Sequence, residues 1–130
     1  MRSMKDEIAG VSSLQPGLYN SDAVGSGADL RGFDAATLLV QVGAYTDGSF
    51  PLVVEESSDD VTYAAVADAD LVGIEPSVDA AGDADSVVEL GYIGSKRFLR
   101  VSISGAVPGV TGAEIAAVVL RGHPAYAPVA

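Results

Sequence analysis

The chain is 130 residues long, carries a formal net charge of -11, is 48% hydrophobic and has no cysteine. That length gives one domain with a real core, and the missing cysteines exclude disulfides and thiol-based metal or nucleophile sites. An acidic body repels phosphate backbones and anionic lipid, which disfavours sequence-independent nucleic-acid binding and electrostatic membrane attachment.

Residues 1–16 lack periodicity and read as a mobile N-terminal arm with a short helical turn near Met4–Ile8, ending at Gln15-Pro16-Gly17. No apolar region follows Arg2 and Lys5, so no secretory signal is expected, and no run is long enough for a transmembrane helix. The absence of disulfides fits assembly in a reducing cytoplasm. The domain proper is taken as 17–122, with an extended tail at 123–130 set by Pro124 and Pro128.

Leu18–Ala28 reads as an edge strand or connector anchored by Val24 and Ala28. A short strand follows over Ala28–Phe33. Thr37–Tyr45 is nearly continuous in apolar residues, which suits a central strand buried on both faces or one packing a neighbouring subunit on its second face. Thr46-Asp47-Gly48-Ser49 is turn chemistry. Pro51–Ser57 is the next strand, and Val61–Val66 is expected to complete a hairpin with it across the turn Ser57–Asp60. Asp70–Ile74 is a further short strand candidate and Pro76–Asp85 an acidic loop.

The strongest local pattern is Val87–Ile103, read as two strands joined by a two-residue turn at Gly94-Ser95. In that register Leu90 faces Leu99 and Val88 faces Val101 on one side. Glu89 faces Arg100 and Gly91 faces Phe98 on the other, all favourable cross-strand pairs. Ala113–Leu120 is the last strand, favoured over helix by its β-branched content and glycine-rich flanks. Many short strands with frequent turn signals and no long helix give an all-β fold: an antiparallel β-sandwich or jelly roll with extended termini.

Candidate chemistry is sparse. His123 is the only histidine, so a multi-histidine metal site cannot form within one chain, and beside Pro124 it reads as a surface or docking residue. Gly25-Ser26-Gly27 lacks the spacing of a nucleophile elbow, and no phosphate-loop pattern is present. Asp79, Asp83 and Asp85 place three carboxylates on one loop, to which Asp68 and Asp70 could add ligands for a hard cation. The spacing is not that of an EF-hand and no bidentate Glu closes it, so a solvated acidic loop is the preferred reading. Glu55 and Glu56 are adjacent on a strand and point to opposite faces, which rules out a paired acid and base. Tyr63, Tyr92 and Phe98 fill the core or an interface, or else form an aromatic platform for sugar or peptide. No catalytic, cofactor-binding or metal-ligating residue is assigned, and no enzyme activity is expected.

Charge is unevenly placed: no Lys or Arg occurs from Gly32 to Ser95, a window holding 13 acidic residues. Acidic loops that keep an Ala/Val-rich domain in solution account for this simply.

Several stretches together resemble a known family. They are Leu18-Tyr19-Asn20-Ser21, Gly32-Phe33-Asp34-Ala35-Ala36, Val54-Glu55-Glu56-Ser57-Ser58-Asp59 and Val66-Ala67-Asp68-Ala69-Asp70-Leu71, then Gly91–Val101 and Gly122-His123-Pro124. Over residues 18–128 this layout is similar to small β-rich head proteins of tailed bacteriophages that decorate or cement the capsid. The resemblance implies a non-enzymatic virion protein, a homotrimer on the outer capsid surface whose partner is the major capsid protein. Its termini would lie across neighbouring subunits, and Ala113, Ala116 and Ala117 would allow close packing between protomers. A carbohydrate-binding or adhesion sandwich on a virion or cell surface is the alternative.

Overall fold

A computed structural model describes residues 1–126. Ten strands build it: β1 (Ile8–Tyr19), β2 (Ala28–Asp29), β3 (Phe33–Tyr45), β4 (Phe50–Ser57), β5 (Ala64–Ala65), β6 (Leu71–Val72), β7 (Ser77–Val78), β8 (Ser86–Tyr92), β9 (Phe98–Ile103) and β10 (Ala113–Pro124). The helical content is three single 3-10 turns, at Lys5–Glu7, Asp68–Asp70 and Ala81–Asp83.

Two antiparallel sheets pack face to face. One has the order β1-β10-β3-β8-β6, and the other β2-β9-β4-β5 with β7 also on β4. The long strands therefore alternate between sheets along the chain, and 1-10-3-8 against 2-9-4-5 is the arrangement of a jelly roll. The all-β sandwich expected from the sequence is what the chain forms.

The core follows the two-residue period of the strands. From one sheet Leu38, Val40, Leu90, Ile115, Ala117 and Val119 point inward; from the other come Phe50, Leu52, Val54, Leu99, Val101 and Ile103, all at most 3% exposed. β3 alternates cleanly, with Leu38, Val40 and Val42 buried but Thr37 and Leu39 half-buried and Gln41 exposed on its outer face. It is thus a one-sided strand within the monomer. Ala113 and Ala117 are fully buried in this core, which removes them from any protomer interface, and Ala116 alone faces outward.

The hairpin expected over Val87–Ile103 does not form. β8 pairs with β3, setting Leu38 against Leu90 and Leu39 against Glu89, whereas β9 pairs with β4, setting Glu55 against Arg100. The reason is topological: β8 and β9 belong to opposite sheets, so residues 93–97 span the roughly 10 Å between sheets instead of making a tight turn. Leu90 and Leu99 do both face the core, from its two sides. The neighbouring hairpin is smaller than expected, since only Glu55–Ala65 and Glu56–Ala64 pair. The strand expected over Asp70–Ile74 shrinks to the two residues of β6; of the two expected anchors Val24 is exposed, and Ala28 is buried at the start of β2.

The largest correction concerns residues 1–16. Ile8–Tyr19 is a twelve-residue edge strand on β10, from the pair Ile8–Gly122 to Tyr19–Ala113. Its period is hidden because the register shifts between Ser12 and Leu14 and again between Leu14 and Gly17. Bulges of this kind double a residue on one strand and erase the alternation. Outside the strand lie Met1–Glu7, with the 3-10 turn Lys5–Glu7 where a helical turn was expected. At the other end β10 runs on to Pro124, and Ala125 donates its N–H to the Gly32 carbonyl. The tail expected over 123–130 therefore begins in the sheet, and its residues 127–130 lie outside the described residues.

The first bulge has a purpose. Ser13 is buried, its Oγ accepts the Val101 N–H at 2.8 Å, and its hydroxyl donates to the Ser26 carbonyl at 2.9 Å. In return Ser26 donates its N–H to the Ser13 carbonyl. Ser102 Oγ, also buried, accepts the Gly25 N–H. These bonds seal the flank where β9 has no continuous strand neighbour, pairing the Val101 N–H and both buried serine hydroxyls. Gly25 is required there, because a Cβ would run into the Val101 carbonyl oxygen.

Candidate functional site

Carboxylates outnumber cations, and many are spent on backbone N–H groups. Asp47 accepts the N–H groups of Val110, Thr111 and Gly112; these bonds, that of Gly112 foremost, hold its carboxyl below the ordinary range. Asn20 clamps the same loop by exchanging two hydrogen bonds with Gly109, and Asp22 accepts the Ala106 N–H. Asp59 accepts from Thr62, Val61 and the Ser57 hydroxyl, which brings its pKa down to about 2. Asp83, lowered mainly by the Asp79 N–H, also accepts that of Ala80.

The acidic loop therefore coordinates its own backbone. Asp68 and Asp70 sit at the opposite end of β8, about 20 Å away along a seven-residue strand, since Ile93 donates to the Asp70 carbonyl. Among the described residues no group of three or more His, Asp or Glu is arranged to hold a metal ion. His123 is exposed at the end of β10, with φ of 48°. Glu55 and Glu56 point to opposite faces as their adjacency requires: Glu55 accepts from Arg100 at 2.9 Å on the outer face, and Glu56 accepts from the Tyr92 hydroxyl at 2.7 Å on the inner side.

The three aromatics form no open platform. Tyr92 is a core residue, whose phenol is pushed up to about 12 by burial and by the Glu56 carboxylate. Tyr63 has the Arg100 guanidinium stacked 3.8 Å from its ring centre and its hydroxyl donated to Asp60. Phe98 lies under Arg97 at 4.9 Å. Both half-buried rings, Tyr63 and Phe98, thus already carry a cation.

Sequence reasoning missed the grouping of the cations. At one end of the sandwich the loop 30–32 between β2 and β3 faces the crossover 93–97, enclosing a cleft of about 420 Å³. Arg31, Lys96 and Arg97 line it with Leu30, Phe33 and Tyr92. Arg121 joins them from the end of β10, over the Phe33 ring and donating to the Asp29 carbonyl at 3.0 Å. Arg2 and Lys5 precede β1 at the same end, and Arg100 lies on the adjoining half of β9. All seven Lys and Arg residues thus occupy one half of the molecule. The opposite end, with Asp22, Asp47, Asp79, Asp83, Asp85 and Glu114, has none.

Within the cleft the cations differ. Arg97 is held by both carboxylate oxygens of Asp29, at 2.9 and 2.8 Å, and this pair brings the Asp29 carboxyl down to about 2. Arg31 and Lys96 have no carboxylate at ion-pairing distance among the described residues. Their backbones are nevertheless fixed: Arg31 donates its N–H to Asp29 Oδ1 and Lys96 to the Tyr92 hydroxyl, both at 3.0 Å. Two free cations on anchored loops can hold an anion without first ordering the backbone. Neither a protein-family model, nor a curated protein, nor a solved structure matches the chain.

Proposed function

We propose that this chain is a structural virion protein, one that decorates and cements the outer surface of a tailed-phage capsid by bridging capsomers. The resemblance over residues 18–128 motivates the reading. The observation that carries it is the confinement of all seven Lys and Arg residues to one half of the sandwich, where they interleave with Asp29, Asp34, Asp68 and Asp70, while the opposite end carries carboxylates alone; this asymmetry supplies a defined attachment end. Jelly rolls serve both capsid and lectin proteins, so the fold alone decides nothing and the argument rests on the charge distribution. The absence of an open aromatic platform weighs against the glycan-binding alternative. Half-buried Leu39, Ala116, Val118 and Leu120 on the outer face of the larger sheet are apolar surface of the kind that trimer formation would cover.

The test is cosedimentation of the purified protein with expanded capsids lacking it. Saturable binding at a fixed ratio to the major capsid protein is expected, and failure of the full chain to bind overturns the reading. A variant lacking residues 1–7 probes the part of the arm outside β1. Removing all of 1–16 would instead delete three quarters of an edge strand.

A further inference from the structure

We infer that the cleft between residues 30–36 and 93–97 is the docking site for an acidic segment of a protein partner, whose carboxylates lie between Arg31 and Lys96. The inference rests on the binding role proposed above and adds the partner's chemistry.

Four observations carry it. Of the cations that line the cleft, Arg31 and Lys96 have no carboxylate at ion-pairing distance among the described residues, whereas Arg97 is paired with Asp29; Arg121 beside them donates to the Asp29 and Ala9 carbonyls. Arg31 and Lys96 come from two different loops that the same Asp29–Arg97 pair ties together, reinforced by Leu30 donating to the Arg97 carbonyl at 2.8 Å. The backbone N–H groups of Gly94 and Ser95 find no acceptor among the described residues, which leaves donors on the crossover beside Lys96. Finally, Leu30 and Phe33 give the cleft an apolar wall, so the occupant carries apolar side chains next to its charge.

Charge also decides against a polyanion. Asp34 lines the cleft, Asp60, Asp68 and Asp70 lie at the same end, and the chain as a whole is at -11. A nucleic acid, with one negative charge per roughly 1.7 Å of duplex axis, would meet these carboxylates on every side. A segment offering one or two carboxylates can set them between Arg31 and Lys96 and keep its remaining length clear of Asp34. The volume, about 420 Å³, suits a few side chains.

The experiment has two arms. In the first, amide NMR spectra of the protein are recorded while a short peptide alternating glutamate and leucine is added, with inorganic phosphate and oligothymidylate in parallel. Saturable shifts confined to residues 31–36 and 93–97 are expected with the peptide. They should weaken at least about tenfold in the charge-reversed variant R31E/K96E and as salt rises from about 0.05 to about 0.5 M. Both side chains are exposed, so this variant should melt as the wild type does; R31Q/K96Q gives the same reading with less perturbation. Absence of shifts at these residues, or equal shifts with phosphate or oligothymidylate, overturns the inference.

In the second arm R31E/K96E is compared with wild type in the capsid assay. Equal binding by both overturns the cleft while leaving the capsid role standing. Peptide binding by a protein that ignores capsids keeps the cleft and removes the capsid role.

Discussion

The Tyr92 hydroxyl on β8 donates to Glu56 on β4 at 2.7 Å, and so ties one sheet to the other beside the cleft. The same oxygen accepts the Lys96 N–H, which makes one phenol both an inter-sheet tie and the anchor of the crossover. Replacing it by phenylalanine should cost about 1 kcal/mol, because Glu56 is half-exposed and recovers water while the Lys96 N–H loses its acceptor. Urea denaturation of Tyr92→Phe checks the figure, and faster exchange of the Lys96 amide checks the cause.

Ser13→Ala should be more damaging, by about 1–3 kcal/mol, since the Val101 N–H and the Ser26 carbonyl then lose a partner in a buried place. The loss should appear as destabilisation with unchanged m-value, and as accelerated hydrogen exchange at Val101.

The strand pairing can be tested by charge. A double-mutant cycle on Glu55 and Arg100 should return a coupling of about 1 kcal/mol, because the pair is three-quarters or more buried and in contact. The cycle on Glu89 and Arg100 should return none, since they lie in different sheets. A hairpin at Gly94-Ser95 would reverse the two results.

Acid should destabilise the fold through its loop carboxylates. Asp29 and Asp59 are brought down to about 2, and Asp47 and Asp83 are lowered. Their contribution is full above the ordinary carboxylate pKa near 4 and is lost as pH falls from about 4 towards 2. Melting temperature should fall across that window, and less steeply in Asp59→Asn. At the alkaline side the sign is opposite. Tyr92, raised to about 12, contributes fully below about pH 10 and loses its contribution as pH rises through 12. Phenolate absorbance should show Tyr92 and Tyr63 titrating above the ordinary tyrosine range.

Much of the strand content is legible because apolar and β-branched residues gather between turn residues: β3 as a nearly continuous apolar run, β10 through its Val and Ile content and glycine-rich flanks. Partner choice is not. Arg100 could satisfy itself with Glu89 eleven residues back or with Glu55 forty-five back, and local complementarity cannot rank the distant option. β1 escaped because Gly10, Pro16 and Gly17 interrupt it and two bulges break its period, while its stability comes from β10, over a hundred residues away. The cleft had visible ingredients, Arg31 and Lys96-Arg97, but only the winding of β2–β3 beside β8–β9 sets them together. Glu55 and Glu56 were correctly placed on opposite faces, because that depends on the pleat alone.

The position of β10 bears on how the chain is made. It fills the slot between β1 and β3, so a nascent polypeptide that has not yet delivered it holds β1 without a partner and the larger sheet in two pieces. Pairs as distant as Ile8–Gly122 cannot form until that strand emerges from the ribosome. The jelly roll therefore closes only once β10 has been made. Pairing over such separations belongs to the slow, millisecond-to-second regime of folding.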